Sequence, residues 1–517
     1  MPTEKKAFTK AAGIVGFFTL ISRIFGFVRD MVIAWFFGAG MITDAFFVAF
    51  RLPNLFRRLF GEGSLTVAFI PVFARHMSEN GKAAAFEMAR SAVRMLSVLL
   101  VILTVFGILA APAIVRLIAP GFTGEQFAVT VLLTRIMFPY IFFICLVALS
   151  MGILNALGHF AAPAVAPIIL NLSIIAAVLF LSPFLSEPVI GLAVGVIIGG
   201  VLQLLLQIPF LVKNGFFFWR RARIYHPALK KIGRLMLPSV FGAAVYQINI
   251  LVSTLLATFL ADGSVSWLYY ADRLVQFPLG IFAISMSVAI LPGLARQAAA
   301  RDMQAVSDTF SYAIKLIFFI TLPAMTGLIV LRHPIVSLLF QRGAFDPVSA
   351  QMTADALFYF CCGLWAFSAV RIVVPVFYAL GDTKTPVAIG VVSVSANIVL
   401  CLVLMKPMAH GGLALAAALA SMINFSLLIM ALDKKLDNVN WKKIVESVAK
   451  SVVCSTIMGL CLQVLMGLAA PTNSSSTLAV AGIVCAGIAG GILVFILSAG
   501  LFRHRELTEL IMLVKKG

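Results

Sequence analysis

The chain has 517 residues, 62% hydrophobic and only 11% charged, where an ordinary soluble domain carries about 25% charged residues. That deficit excludes a soluble globular protein, and apolar blocks of roughly 20 residues match the length that crosses about 30 Å of hydrocarbon. A membrane β-barrel is excluded as well, because runs such as Val98 to Ala111 and Val480 to Leu497 are almost continuously apolar rather than alternating.

With glycine, proline and charge clusters as punctuation, the pattern predicts spans near 11–37, 42–74, 92–115, 126–155, 161–183, 188–212, 235–260, 265–293, 310–331, 351–380, 386–405, 411–432, 447–468 and 477–502. The fold class expected is therefore an all-α polytopic membrane protein of about fourteen transmembrane helices. Lys5, Lys6 and Lys10 precede the first apolar run, but Arg23 and Arg29 interrupt it and no small-residue cleavage site follows. This predicts an uncleaved first helix rather than a signal peptide.

Helix one carries S-R-I-F-G-F-V-R-D from Ser22, where Ser22, Gly26 and Arg29 share one face and Arg23 and Asp30 a neighbouring one. The expectation is a polar side wide enough to line water. Helix two carries D-A-F-F-V-A-F-R-L-P-N-L-F-R-R-L-F-G-E-G, in which Pro53 frees backbone groups mid-span and Asn54, Arg58 and Glu62 follow at intervals of four. Span eight repeats the theme with Y-Y-A-D-R-L-V-Q-F-P, placing Asp272 and Arg273 near another proline. Broken, charged helices in transporters border the substrate path.

The other basic residues set topology. With a cytoplasmic N-terminus, 26 lysines and arginines fall on inward-facing segments and four on outward ones, which predicts both termini inside. Much of the +19 net charge is thereby accounted for without a nucleic-acid partner. The basic stretch over 213–234 is expected to be a solvated cytoplasmic linker touching anionic lipid. The seven cysteines all lie in apolar runs and the six histidines show no ligand spacing, so no metal, disulfide framework or cofactor is expected.

An internal repeat organises the chain. S-L-T-V-A-F-I-P-V-F-A-R at Ser64 returns as S-M-S-V-A-I-L-P-G-L-A-R at Ser285, 221 positions on. I-V-R-L-I at Ile114 returns as I-V-S-L-L at Ile335, and A-L-G-x-x-x-x-P at Ala156 returns at Ala379. The reading is two six-helix lobes in parallel pseudo-repeat, 1–225 and 226–445, followed by a C-terminal helix pair over 446–517. Two such lobes with a site between them describe a transporter rather than an enzyme.

Nine cations remain within spans: Arg23, Arg29, Arg51, Arg57, Arg58, Arg135, Arg273, Lys315 and Arg371. Five acids accompany them: Asp30, Asp44, Glu62, Asp272 and Asp355. A charge at the bilayer centre costs about 2.5 to 3.5 kcal/mol, so a cationic surplus there calls for an anion. Arginine's planar fork suits phosphate oxygens, which points to a phosphate or pyrophosphate held by Arg23, Arg29, Arg57, Arg58 and Arg273. Ser22 and Asn54 join them as candidate substrate contacts, with Asp30, Asp44, Glu62 and Asp272 as supporting charges.

Four segments carry a family resemblance: S-R-I-F-G-F-V-R-D at Ser22, T-D-A-F-F-V-A-F-R-L-P-N-L-F-R-R at Thr43, Y-Y-A-D-R at Tyr269 and G-D-T-K-T-P at Gly381. Through these motifs the chain resembles the lipid II flippase family of the multidrug/oligosaccharidyl-lipid/polysaccharide exporter superfamily, over essentially its whole length. The resemblance implies two lobes around a cationic cavity and a lipid-tail groove made by the last two helices. It also implies that Arg23, Arg29, Arg57 and Arg273 are functionally important and that Asp44 supports them. The implied substrate is lipid II, a polyprenyl-pyrophosphate glycolipid, turned over in the bacterial inner membrane beside membrane lipids and other cell-wall synthesis proteins. A flippase for another lipid-linked oligosaccharide is the nearest alternative, and a drug or cation exporter a more distant one, since that would need an acidic pocket.

Overall fold

The computed structural model describes residues 2–59, 65–436, 439–468 and 477–516, and among them the ordered elements are all helical. The first elements are α1 (Pro2–Phe37), α2 (Met41–Phe56), α3 (Leu65–Leu109), α4 (Ala111–Ile118), α5 (Gly124–Met137), α6 (Tyr140–Ala156), α7 (Ala161–Ala176), α8 (Val189–Lys213) and α9 (Pro227–Ala257). There follow α10 (Ser264–Pro278), α11 (Ile284–Ala299), α12 (Met303–Val330), α13 (Arg332–Phe340), α14 (Pro347–Cys362), α15 (Leu364–Ala379), α16 (Lys384–Asp433), α17 (Trp441–Leu468), α18 (Thr477–Leu501) and α19 (Arg505–Lys516).

Nine helical segments among the described residues are long and apolar enough to cross a membrane, and the pair α14 and α15, bent by 43°, makes a tenth. Helix α16 is 50 residues long with a non-helical break at Ala409. At 1.5 Å per residue it would reach about 75 Å if straight, so it supplies two crossings on either side of that break. Helix α3 is likewise two helices joined at Gly81, whose φ of 81° lies in the left-handed region.

By its contacts the chain divides into two compact units, 1–266 and 267–517, so the division falls just inside α10 and α9 is counted with the first unit. The repeat seen in the sequence governs helix boundaries. Helices α2 and α10 begin 223 positions apart, α5 and α14 begin 223 apart, and α6 and α15 end 223 apart. Equivalent turns share their hydrogen bonds. After α6, His159 N–H donates to Leu154 O at 2.8 Å, and after α15, Asp382 N–H donates to Phe377 O at 2.9 Å. Each turn passes through a glycine with positive φ, Gly158 at 79° and Gly381 at 75°. That is the Schellman closure that only a residue without a side chain adopts at little cost.

Within the first unit the helices approach closely through small residues. A methyl group on Gly195 of α8 would come within 2.7 Å of Ala177, so Gly195→Val would force α7 and α8 apart. An aromatic core containing Phe69, Phe73, Phe86 and Phe216 fills the space between α3, α6 and the chain after α8.

In the second unit, α19 folds back on α12, α17 and α18. Leu507 and Leu510 pack on an apolar cluster that contains Phe319, Met458 and Phe495. The polar part of this seam is buried. Glu506 Oε2 pairs with His504 Nδ1 at 2.7 Å, and Glu506 Oε1 accepts from Ser447 Oγ at 2.9 Å and lies 3.4 Å from Lys315 Nζ. Burial opposes the charged carboxylate, but bonds from His504, from its own backbone and from Ser447 outweigh it and hold Glu506 at about 2 instead of 4.5. A depressed carboxylate contributes stability that is complete above pH about 4.5 and is lost as pH falls towards 2. Amide protection over 505–516, taken relative to unstructured exchange at the same pH, should therefore be high at neutral pH and fall in acid; equal protection at both pH values would contradict this.

The G-D-T-K-T-P motif is a helix start. Asp382 Oδ1 accepts the N–H groups of Lys384 and Thr385 at 3.1 and 3.0 Å, and Oδ2 pairs with Lys435 Nζ at 3.0 Å. Hydrogen bonds from the side chain and backbone of Thr385, then from Lys435, hold this carboxyl well below the usual range.

Candidate functional site

Arg29 is buried, 7% exposed, in α1. Its Nε and Nη2 both donate to Asp30 Oδ1, at 3.0 and 2.6 Å, and Nη1 donates to Asn171 Oδ1 on α7 at 3.1 Å. Asn171 in turn donates from Nδ2 to the backbone oxygen of Ser22 at 3.2 Å. A methyl group built on Gly26 would sit 3.5 Å from the same amide nitrogen. The face Ser22, Gly26, Arg29 is thus a single surface, as the spacing predicts, but α7 occupies it. The expectation that it lines water needs this correction: Asn171 satisfies there the polar groups that water would otherwise serve. Arg23, on the neighbouring face, is exposed, while Asp30 is buried.

Helix α2 presents a second cationic group. Pro53 is inside it, and beyond Phe56 the backbone widens into a π turn over residues 57–59. A second π turn follows Pro278, from Leu279 to Ala283, at the equivalent place in the repeat. Such turns add a residue to the helical register and recur at functional sites. Asn54 has a partner other than the one the spacing suggested. Its Oδ1 accepts Nε and Nη2 of Arg57, three residues on, at 3.1 and 3.0 Å, where the spacing suggested Arg58, four residues on. Glu62 lies outside the described residues.

Arg58 lines a cleft between α2 and α9 together with Arg51, Asn54 and Gln247, over an apolar floor of Leu55, Ile250 and Leu251. Its Nε is buried without a hydrogen-bond partner among the described residues. A guanidinium so placed offers donors to an incoming anion. Asp44, at the start of α2, is 1% exposed and accepts from Gly263 N, Ser266 N and Ser266 Oγ at 2.7, 2.8 and 2.5 Å. It therefore fastens the start of α10 to the start of α2.

In the second unit, Arg273 Nη2 donates to Tyr269 Oη at 2.6 Å, one helical turn away. Asp272 accepts from Gln276 Nε2 at 3.3 Å. Of the remaining cations within spans, Arg135 is exposed, Arg371 is partly buried, and Lys315 has Glu506 beside it. That acid follows the last span and was not among the five acids of the charge count, so the surplus is smaller by one than the spans alone imply. Asn171 and Gln247 were not among the sequence candidates. The available signal was an amide inside an otherwise apolar run, A-P-I-I-L-N-L for the first and Y-Q-I-N-I for the second.

Residues 33–482 match the family described as "Lipid II flippase MurJ". A relative from Vibrio cholerae named "Probable lipid II flippase MurJ" is 39% identical over 439 residues, covering 83% of this chain and 84% of the relative. A solved structure of "Lipid II flippase MurJ, inward closed conformation" matches with a TM-score of 0.82 at 27% identity, covering 96% of this chain and 99% of that one. An inward-facing multidrug resistance MATE family transporter of the MOP superfamily matches with a TM-score of 0.68 at 18% identity over 80% of this chain and 95% of that one, a likeness of fold alone.

Proposed function

The chain belongs to the lipid II flippase MurJ family, and from that membership we propose that it carries lipid II from the cytoplasmic to the outer leaflet of the inner membrane by alternating access. The lobes 1–225 and 226–445 would rock about a cationic site while the helix pair in 446–517 holds the polyprenyl tail in lipid. The observation that carries the reading is Arg58 Nε, buried without a hydrogen-bond partner among the described residues, in a cleft that also holds Arg51, Asn54 and Gln247. A pyrophosphate has the charge and the acceptor oxygens to occupy such donors. Arg23, Arg29, Arg57 and Arg273 are the further headgroup contacts. No bond is made or broken in this process, so no nucleophile or general base is needed.

The test is the purified protein in vesicles, scored by the accessibility of the lipid II headgroup from the far side, beside other polyprenyl-pyrophosphate sugars. Wild type should move lipid II, and Arg58→Gln and Arg273→Ala should each lower the rate at least tenfold. Full rates in both variants would remove the arginines from the mechanism.

The 26-to-4 distribution of basic residues supports cytoplasmic termini. With the native cysteines replaced, Ala344→Cys, exposed between α13 and α14, should react with an impermeant maleimide in intact cells, and Arg223→Cys should react only after lysis. The reverse pattern would invert the orientation.

A further inference from the structure

The chain between α8 and α9 is a built strap. Phe216 is fully buried and meets Phe86 edge-on at 5.5 Å between ring centroids, and Phe218 packs on the same core. Arg94 of α3 then grips the strap's backbone, donating from Nη1 to Ala222 O and from Nη2 to Arg220 O at 3.3 Å. Beyond Phe218 the chain turns and most of its side chains face outward. Trp219 is 65% exposed and Ile224 58%, and Arg220, Arg221 and Arg223 are exposed beside them.

Holding the strap in this way brings like charges together. Arg90 stands one helical turn before Arg94, and the charges of Arg220 and Arg94 both bear on it, with Glu87 the acid nearby that opposes them. Arg90 Nε is buried and has no hydrogen-bond partner among the described residues. Three guanidiniums with one acid raise the local positive potential, and an exposed indole and isoleucine alongside fit the boundary between headgroups and acyl chains. A solvated linker would need neither the buried anchors nor the exposed apolar residues.

We propose that Arg90, Arg220, Arg221 and Arg223, with Trp219 and Ile224 set into the interface, bind the phosphate of an anionic phospholipid headgroup. The site lies in the first unit, and the proposal does not depend on the identity of the transported molecule.

The test uses the full-length protein in phosphatidylcholine vesicles doped with brominated phosphatidylglycerol or, separately, brominated phosphatidylcholine at the same fraction. The quenching of Trp219 is isolated by difference from Trp219→Phe. Brominated phosphatidylglycerol should quench Trp219 more than the neutral lipid does, and each arginine removed should lower the apparent affinity about fivefold at low salt. Arg221→Gln/Arg223→Gln removes only exposed side chains and keeps the fold readable if Arg90→Gln/Arg220→Gln does not fold. Arg90→Lys/Arg220→Lys should retain most of the excess. Equal quenching by the two lipids, or an excess that survives in both glutamine pairs, overturns the proposal. Displacement of the excess by inorganic phosphate, against chloride at equal ionic strength, would assign the site to a free anion and overturn it too.

Discussion

Arg29→Ala is expected to abolish transport and to cost about 3 to 5 kcal/mol of stability, the range for removing one partner of a buried ion pair. Asp30 is 1% exposed, and Arg29 gives it two hydrogen bonds, so the alanine variant leaves a carboxylate with its main cation gone. The same change leaves Asn171 Oδ1 without its donor from α1. Loss of transport in this variant alone would therefore not separate a substrate contact from a fold defect. The double variant Arg29→Ala/Asp30→Asn does, because it removes both charges. It should recover most of the lost melting temperature while transport stays absent. If transport returns with stability, Arg29 acts by holding α1 on α7 and not by touching the headgroup. Arg29→Lys should fall between, since a single ammonium cannot span Asp30 and Asn171 as the guanidinium fork does.

These residues also show where sequence reasoning reaches and where it stops. Helical spacing alone grouped Ser22, Gly26 and Arg29, because the 3.6-residue period is a property of one helix. What the face meets is a tertiary fact. Asn171 lies 142 positions from Arg29, and a neutral amide leaves no trace in a charge count. Asn54 was aligned with Arg58 four residues on, but i+3 and i+4 are both neighbours on a helix, and its oxygen accepts from Arg57. Lys315 was counted without an acid because Glu506 follows the last apolar span, on a helix too short to cross a membrane. The repeat left a trace in the sequence, although two of its three matches stand 221 positions apart and the ends of α6 and α15 stand 223 apart. Local signals such as A-L-G-x-x-x-x-P encode a turn whose glycine conformation and hydrogen bonds recur unchanged 223 positions later. The strap over 214–226 was the opposite case. Its charge dominated the reading, while Phe216 and Phe218 held the information that the strap is anchored on the core.

Asp44→Ala is expected to be the most destabilising single change at the start of α2. Its carboxylate accepts two backbone N–H groups and a hydroxyl at the first turn of α10, doing from a distant helix what an N-cap side chain does locally. The site is buried, so removal strands all three donors, and each orphan costs about 1 to 3 kcal/mol. The negative charge also favours the positive end of the α10 dipole, a gain of under about 2 kcal/mol that is lost with it. Asp44→Asn keeps one acceptor oxygen but turns an amide towards the N–H of Gly263 or Ser266, donor against donor, and should lie between wild type and alanine. Ser266→Ala loses only the hydroxyl contact and should be the mildest of the three. Thermal unfolding of the purified variants in detergent checks the order: wild type above Ser266→Ala, then Asp44→Asn, then Asp44→Ala. If Asp44→Ala melts with wild type, the three bonds do not hold α10, and the effect of this acid on transport must be sought in its charge.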